Sequence, residues 1–152
     1  MNGEIGGFGA VCTLRASSTY PVGLLITQFA DDADPIDFPD IQIADVAMGL
    51  NGDLLTWSKA TPLPLTIAVV PESNDDNNLA VLAAANRVGK GKQSARDKIT
   101  FVAKYPSGIV VTLTNGKLLN AQMSNSISSA GRMKSKTYKF AFENITVARI
   151  PA

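Results

Sequence analysis

Apolar residues recur at every second position along several stretches of this chain, and that period limits what it can fold into. Leu63, Leu65, Ile67 and Val69 alternate with Pro64, Thr66 and Ala68. Ile99, Phe101, Ala103 and Tyr105 alternate with Lys98, Thr100, Val102 and Lys104. Successive strand side chains point to opposite faces, so both stretches read as half-buried β-strands. Tyr138, Phe140 and Phe142 share one parity, and Ile145 and Val147 resume on the other. That switch predicts a bulge around Glu143-Asn144 bending a long final strand, as a barrel requires. Asn51-Gly52 and Asn115-Gly116 each stand between apolar runs and supply the positive backbone torsions of tight hairpins. They predict pairing of 43–50 with 53–58 and of 108–114 with 117–124.

One stretch breaks the period. Ser73 followed by Asp76 three residues on resembles a capping box, acids cluster in the first turn, and Leu79, Leu82 and Ala83 form an apolar stripe. With Arg87 near the end and Gly89 as terminator, a helix is expected over about 74–88. The fold class is therefore mainly β, a barrel or sandwich with one flanking helix. At 152 residues and 16.0 kDa the chain suits a single domain over 1–152, able to bury roughly 70% of its unfolded surface. Segments 1–7, 30–40 and 124–136 read as flexible or interacting.

The inventory of reactive side chains is short. No histidine is present and cysteine occurs once, which removes histidine-based triads, histidine metal sites and structural zinc. Cys12 shares its parity with Phe8, Ala10 and Leu14, the expected place of a packed, inert thiol. The stretch "VGKGKQS" at 88–94 lacks a phosphate loop's first glycine and its final serine or threonine, and it follows a helix instead of opening one. A helix-loop-helix calcium site counted from Asp31 meets Ile36 and Gln42 where glycine and glutamate belong. No catalytic residue, cofactor or metal is expected. A leader of the secretory kind and an apolar run long enough for a membrane helix are both missing, so the expectation is a soluble chain made in the cytoplasm.

Charge is divided. Residues 1–86 hold eleven acids against two bases, and residues 87–152 hold twelve bases against two acids. Five of the acids, Asp31, Asp32, Asp34, Asp37 and Asp40, crowd one short segment with Ile36 and Phe38 among them. Apolar side chains in such a loop gain by docking. The basic candidates are Lys90, Lys92 and Arg96, then Arg132, Lys134 and Lys136. Two readings fit. Either the bases hold nucleic-acid phosphates while Tyr138, Phe140 and Phe142 stack bases on a small barrel, or the basic surface of one copy receives the acidic loop of the next. Repeats of the second, heterologous contact make rings or filaments.

The order of elements favours the second reading: a glycine-rich first strand, a long acidic loop, a hairpin, a strand, one helix, and further strands with a basic loop and an aromatic end. In this order, notably over "LLITQFADDADPIDFPDIQIADVAMGLNGDLLTWSKATPLPLTIAVVPESNDDNNL", the chain resembles the tail tube protein of contractile-tailed bacteriophages. The type VI secretion tube protein is similar in fold. The resemblance implies a β-barrel or sandwich subunit of the virion, closed into hexameric rings whose stacking forms a DNA-conducting tube. It implies partners in further copies of the chain and in sheath, baseplate and tail terminator proteins. It also makes the thirteen acidic, apolar and basic residues above, together with Gly6, Gly7 and Gly9, candidates for subunit contacts.

Overall fold

The computed structural model describes residues 10–30 and 35–149. Its strands are β1 (Val11–Ala16), β2 (Tyr20–Ile26), β3 (Ile36–Asp37), β4 (Ala44–Met48), β5 (Leu54–Ser58), β6 (Leu63–Val69), β7 (Ile99–Lys104), β8 (Ile109–Ala121), β9 (Lys136–Phe142) and β10 (Asn144–Arg149). One helix, α1 (Asn74–Asn86), lies between β6 and β7. All strand pairs are antiparallel, in the order β2-β1-β7-β8-β9-β6-β3, and β10 also pairs with β8. The fold is mainly β with one helix.

The alternating residues land as their period requires. Leu65, Ile67, Ile99, Phe101, Ala103, Tyr138, Phe140 and Phe142 are buried in one core with Leu14, Val111 and Leu113. From α1, Leu79, Leu82 and Ala83 reach the same core. Cys12 is buried there, and burial pushes its thiol above the ordinary range.

Two long strands turn the corner between the sheet's halves. Residues 109–114 of β8 lie between β7 and β10, whereas residues 117–121 pair with β9. Residues 136–149 do the same in reverse, with Glu143 as the joint between β9 and β10. The bend expected there is present.

The hairpin expected at Asn115-Gly116 is not. β8 runs unbroken through it, and the pairing changes from Phe101↔Leu113 to Ile99↔Gly116, one extra residue on the β8 side. Asn115 carries the positive torsion, φ 54°. Here Asn-Gly makes a bulge, because β10 and β9 on β8's far side continue the pairing that a turn would have ended. A Cβ on Gly116 would stand 2.3 Å from the Phe142 ring, so only glycine lets that ring close over the bend. Asn51-Gly52 does make a hairpin: Gly49 N–H donates to Asp53 O, Gly52 has φ 84°, and Met48 faces Leu54.

The helix starts where its cap predicts. Ser73 Oγ accepts from Asp76 N–H at 3.2 Å, and Asp76 Oδ2 accepts from Glu72 N–H at 2.8 Å. It stops earlier than expected, at Asn86, because Arg87 is extended and forms the C-cap in place of Gly89. Asn86 is held by Asp97: its amide donates to Asp97 Oδ2 at 2.8 Å, and its oxygen accepts from Asp97 N–H. Asp97 also accepts from the N–H groups of Ser18 and Thr19 and from the Thr19 hydroxyl. Burial alone would raise this carboxyl, but the hydrogen bonds from Thr19, Asn86 and Ser18 prevail and hold it below the ordinary carboxylate range.

A depressed folded-state pKa means that the unfolded chain takes up the proton first. The contribution is complete above about pH 4, the ordinary aspartate value, and is lost as pH falls through the lower folded value. Asp97→Asn should therefore cost about 2 kcal/mol at pH 7, and urea unfolding should show the gap from wild type narrowing as pH drops below 4.

Candidate assembly surface

The β4–β5 ribbon forms a two-stranded sheet of its own and pairs with no other described strand. Gln42 ties its base, accepting from Lys59 Nζ and from the Thr61 hydroxyl. Beyond this base the apolar side chains are open to solvent: Val46, Met48, Leu54, Leu55 and Trp57 are each at least half exposed, and Leu50 at the tip is fully so. An isolated two-stranded ribbon is marginal in water, and a contiguous apolar patch of this kind marks a contact surface. The sequence held a signal for it: Val46-Ala47-Met48 and Leu54-Leu55 are apolar at consecutive positions, where half-buried strands alternate.

A second open feature is β10. It has a strand neighbour only on its β8 side among the described residues, and contains neither proline nor glycine. Ile145 and Val147 face the same way as the buried Leu113 and Val111 yet are 44% and 60% exposed. The opposite edge strand, β2, is blunted by Pro21 and by Gly23 at φ 101°. Edges without such protection accept another strand.

The predicted site residues separate. Asp31, Asp32, Asp34 and the glycines Gly6, Gly7 and Gly9 lie outside the described residues. Ile36 docks on its own chain, paired with Ile67 in β3–β6 and packed on the core. Asp37 and Asp40 are exposed. Phe38 lines an apolar groove of about 590 Å³ with Val11, Leu25, Phe29 and Tyr105. The stretch 30–40 is thus pinned at Ile36-Asp37, and Pro35 O accepts from Ala68 N–H at 3.0 Å.

The bases are spread over two loops and the core. Lys90, Lys92 and Arg96 follow α1 and are exposed, but the Lys92 ammonium donates to the carbonyls of Ala84 and Arg87. It closes the helix C-terminus, where a cation is favoured. Arg132 and Lys134 lie on a loop folded back by the Ile127↔Met133 bridge, with Gly131 at positive φ. Lys136 is different: its ammonium is buried, 3.4 Å from Asp76 Oδ1. Tyr138 donates to the same carboxylate oxygen at 2.7 Å, and burial, that bond and the carboxylate charge all push its phenol far above the ordinary range. Alternation could have placed Lys136 on the core face, since it shares parity with Tyr138.

Tyr138, Phe140 and Phe142 are at most 2% exposed, so no base can stack on them and the nucleic-acid reading loses its platform. Among the described residues no group of three or more acidic, cysteine or histidine side chains is placed to hold a metal ion, and no helix is long and apolar enough to cross a membrane.

Residues 3–146 match the family model described as tail fiber protein gp32. The chain belongs to this family. No curated protein matches the sequence. Among solved structures, this gp32-family chain is similar to one in the sheath–tube complex of an extracellular contractile injection system, PVC, in the extended state, with TM-score 0.61, 10% identity, and 99% of this chain and 95% of that one covered. A chain in the sheath/tube terminator of the same system gives TM-score 0.60 and 10% identity over 95% and 96% of the two chains. One from the anti-feeding prophage tube-terminating cap gives 0.58 and 11% over 99% and 94%. At such identities the likeness is one of fold, shared with chains of these sheath–tube, terminator and cap assemblies.

Proposed function

We propose that this gp32-family chain is a structural, non-catalytic, single-domain subunit of a phage tail tube. It assembles with copies of itself into hexameric rings stacked head to tail, around a lumen through which DNA passes without specific binding. Assembly takes place in the host cytoplasm, and sheath, baseplate and tail terminator proteins complete the particle. The observation that carries this reading is the β4–β5 ribbon: the chain folds a hairpin away from its own core and leaves its apolar side chains uncovered. The unprotected β10 edge, the family membership and the likeness to tube-complex chains support it.

A second reading has support of its own, since the fold matches a terminator chain as well as it matches the tube complex. A terminator would close into single rings without elongating. The family description names a tail fiber, but the likeness in fold to chains of a sheath–tube complex and of a sheath/tube terminator supports a tube.

Negative-stain images of the concentrated full-length chain test the proposal. Rods of stacked rings are expected for a tube, rings alone for a terminator, and permanent monomers would end both readings. Tube subunits should also fail to bind short oligonucleotides with the steep salt dependence of a nucleic-acid-binding protein. The acidic loop is proposed to meet the basic turn after α1 on a neighbouring copy. Asp34→Lys with Asp37→Lys should block assembly while the monomer stays folded, and Lys90→Glu should restore it. Lys92 is left unchanged in this pair because it closes the helix. Intact rods from the lysine variant would remove the acidic loop from the joint.

A further inference from the structure

We infer that the β4–β5 ribbon is clamped between two different copies of this chain, one against each of its faces. The inference rests on the self-assembly reading and specifies the joint. Register divides the ribbon cleanly. Val46 pairs with Thr56 and Met48 with Leu54 on one face, while Ala47 pairs with Leu55 and Asp45 with Trp57 on the other. Exposure is similar on the two: 58%, 66% and 62% for Val46, Met48 and Leu54, against 53% and 50% for Leu55 and Trp57. Ile43, at 72%, extends the second face.

A strand with one wet face alternates apolar and polar residues, and a strand apolar at consecutive positions is covered on both sides. This ribbon follows the second pattern. The rest of the described chain covers neither face, since no ribbon residue belongs to the core or to the apolar residues packed on it. The charged pair on the second face, Lys59 with Asp45, is neutral as a unit and sits at the base.

Area argues for two partners. Full burial of an aliphatic side chain corresponds to roughly 60–120 Å², so each face offers on the order of 200–300 Å², against about 800 Å² per partner in a standard interface. Neither face alone sustains a dimer. Both together offer on the order of 400–600 Å², twice what one copy against one face would cover. A repeating assembly places two identical surfaces at a fixed spacing, and the division of charge within each copy gives neighbours complementary signs. An incoming subunit therefore gains its full contact only where two copies are already joined.

Site-directed labelling tests this on the full chain. Thr56→Cys marks the first face and Ala47→Cys the second, and the native thiol at Cys12 is buried and does not compete. In dilute monomer both cysteines should react rapidly with a maleimide. In pelleted assemblies both should be protected at least ~10-fold. Assemblies with one face still reactive would overturn the clamp while leaving self-assembly standing, whereas failure to assemble at all removes both. A photo-crosslinker on each cysteine, diluted into excess unmodified chain, separates two partners from one. Each single variant should give two-chain products and the double variant three-chain products. A double variant that stops at two chains overturns the clamp.

Discussion

Asp76→Ala should cost about 4 kcal/mol of folding stability, because it removes one member of a buried ion pair and leaves the other charge without compensation. The carboxylate meets the Lys136 ammonium and Tyr138 hydroxyl on one oxygen and the Glu72 N–H on the other. Both side chains are at most 6% exposed, so water does not replace the lost partner. Replacing the pair is a different matter from breaking it. Asp76→Asn keeps an oxygen for the Glu72 N–H and turns its amide N–H to the Tyr138 hydroxyl oxygen, whose own proton still has the Asp76 carbonyl at 3.3 Å, and Lys136→Met keeps the stem of the lysine without its charge. The double variant should lie within about 2 kcal/mol of wild type, well above Asp76→Ala. Equilibrium urea unfolding decides it. A double variant as unstable as Asp76→Ala would mean that burial of the charges is not what sets the cost.

Trp57→Ala should raise the critical concentration for assembly at least ~30-fold, the equivalent of a 2 kcal/mol interface anchor. The monomer's own stability should change by less than about 0.5 kcal/mol, as for other exposed positions, since Trp57 lies outside the core. The separation of the two effects is the informative part. It distinguishes a residue kept for contacts between copies from one kept for folding. Sedimentation across a concentration series reads the first, and urea unfolding of dilute protein reads the second. As the chain's one tryptophan, Trp57 also reports directly: its emission in wild type should shift to the blue as assemblies form. Emission that stays at the monomer wavelength in pelleted rods would show that this face remains in water.

Much of the core was legible before any coordinates, for a simple reason. Period-two alternation names the inward residues of a strand whatever that strand pairs with, and Leu65, Ile67, Phe101 and Phe140 all point where their parity requires. The start of α1 was legible too, because a cap is a local device: Ser73 and Asp76 are three residues apart and satisfy their own backbone. The end of α1 was harder to see. It depends on Asn86 reaching Asp97, eleven residues away across a turn, and on Arg87 becoming extended before Gly89 is reached.

Asn51-Gly52 and Asn115-Gly116 carry the same dipeptide between similar apolar runs, yet one turns the chain and the other bends it. The first stands in a ribbon with no neighbours, so the local torsions decide. At the second, β7, β9 and β10 compete for the same strand, and their combined pairing outweighs the local preference for a turn. The assembly surface divides along the same line. Charge clustering in 31–40 and 87–98 is visible in one dimension, but the withdrawal of Lys136 into the core and of Lys92 onto a helix end are tertiary events.

By itself, then, the amino-acid order determined the strand faces, the helix cap, the free hairpin and the opposed charge of the two halves. These follow from side-chain period and from contacts between residues a few positions apart. Tertiary structure alone decided that β8 continues through its Asn-Gly step, that the aromatic residues of β9 are closed off from solvent, and that the β4–β5 ribbon is left bare on both faces. Those outcomes depend on which distant segments compete to cover a surface, and that competition is settled only when the whole chain has packed.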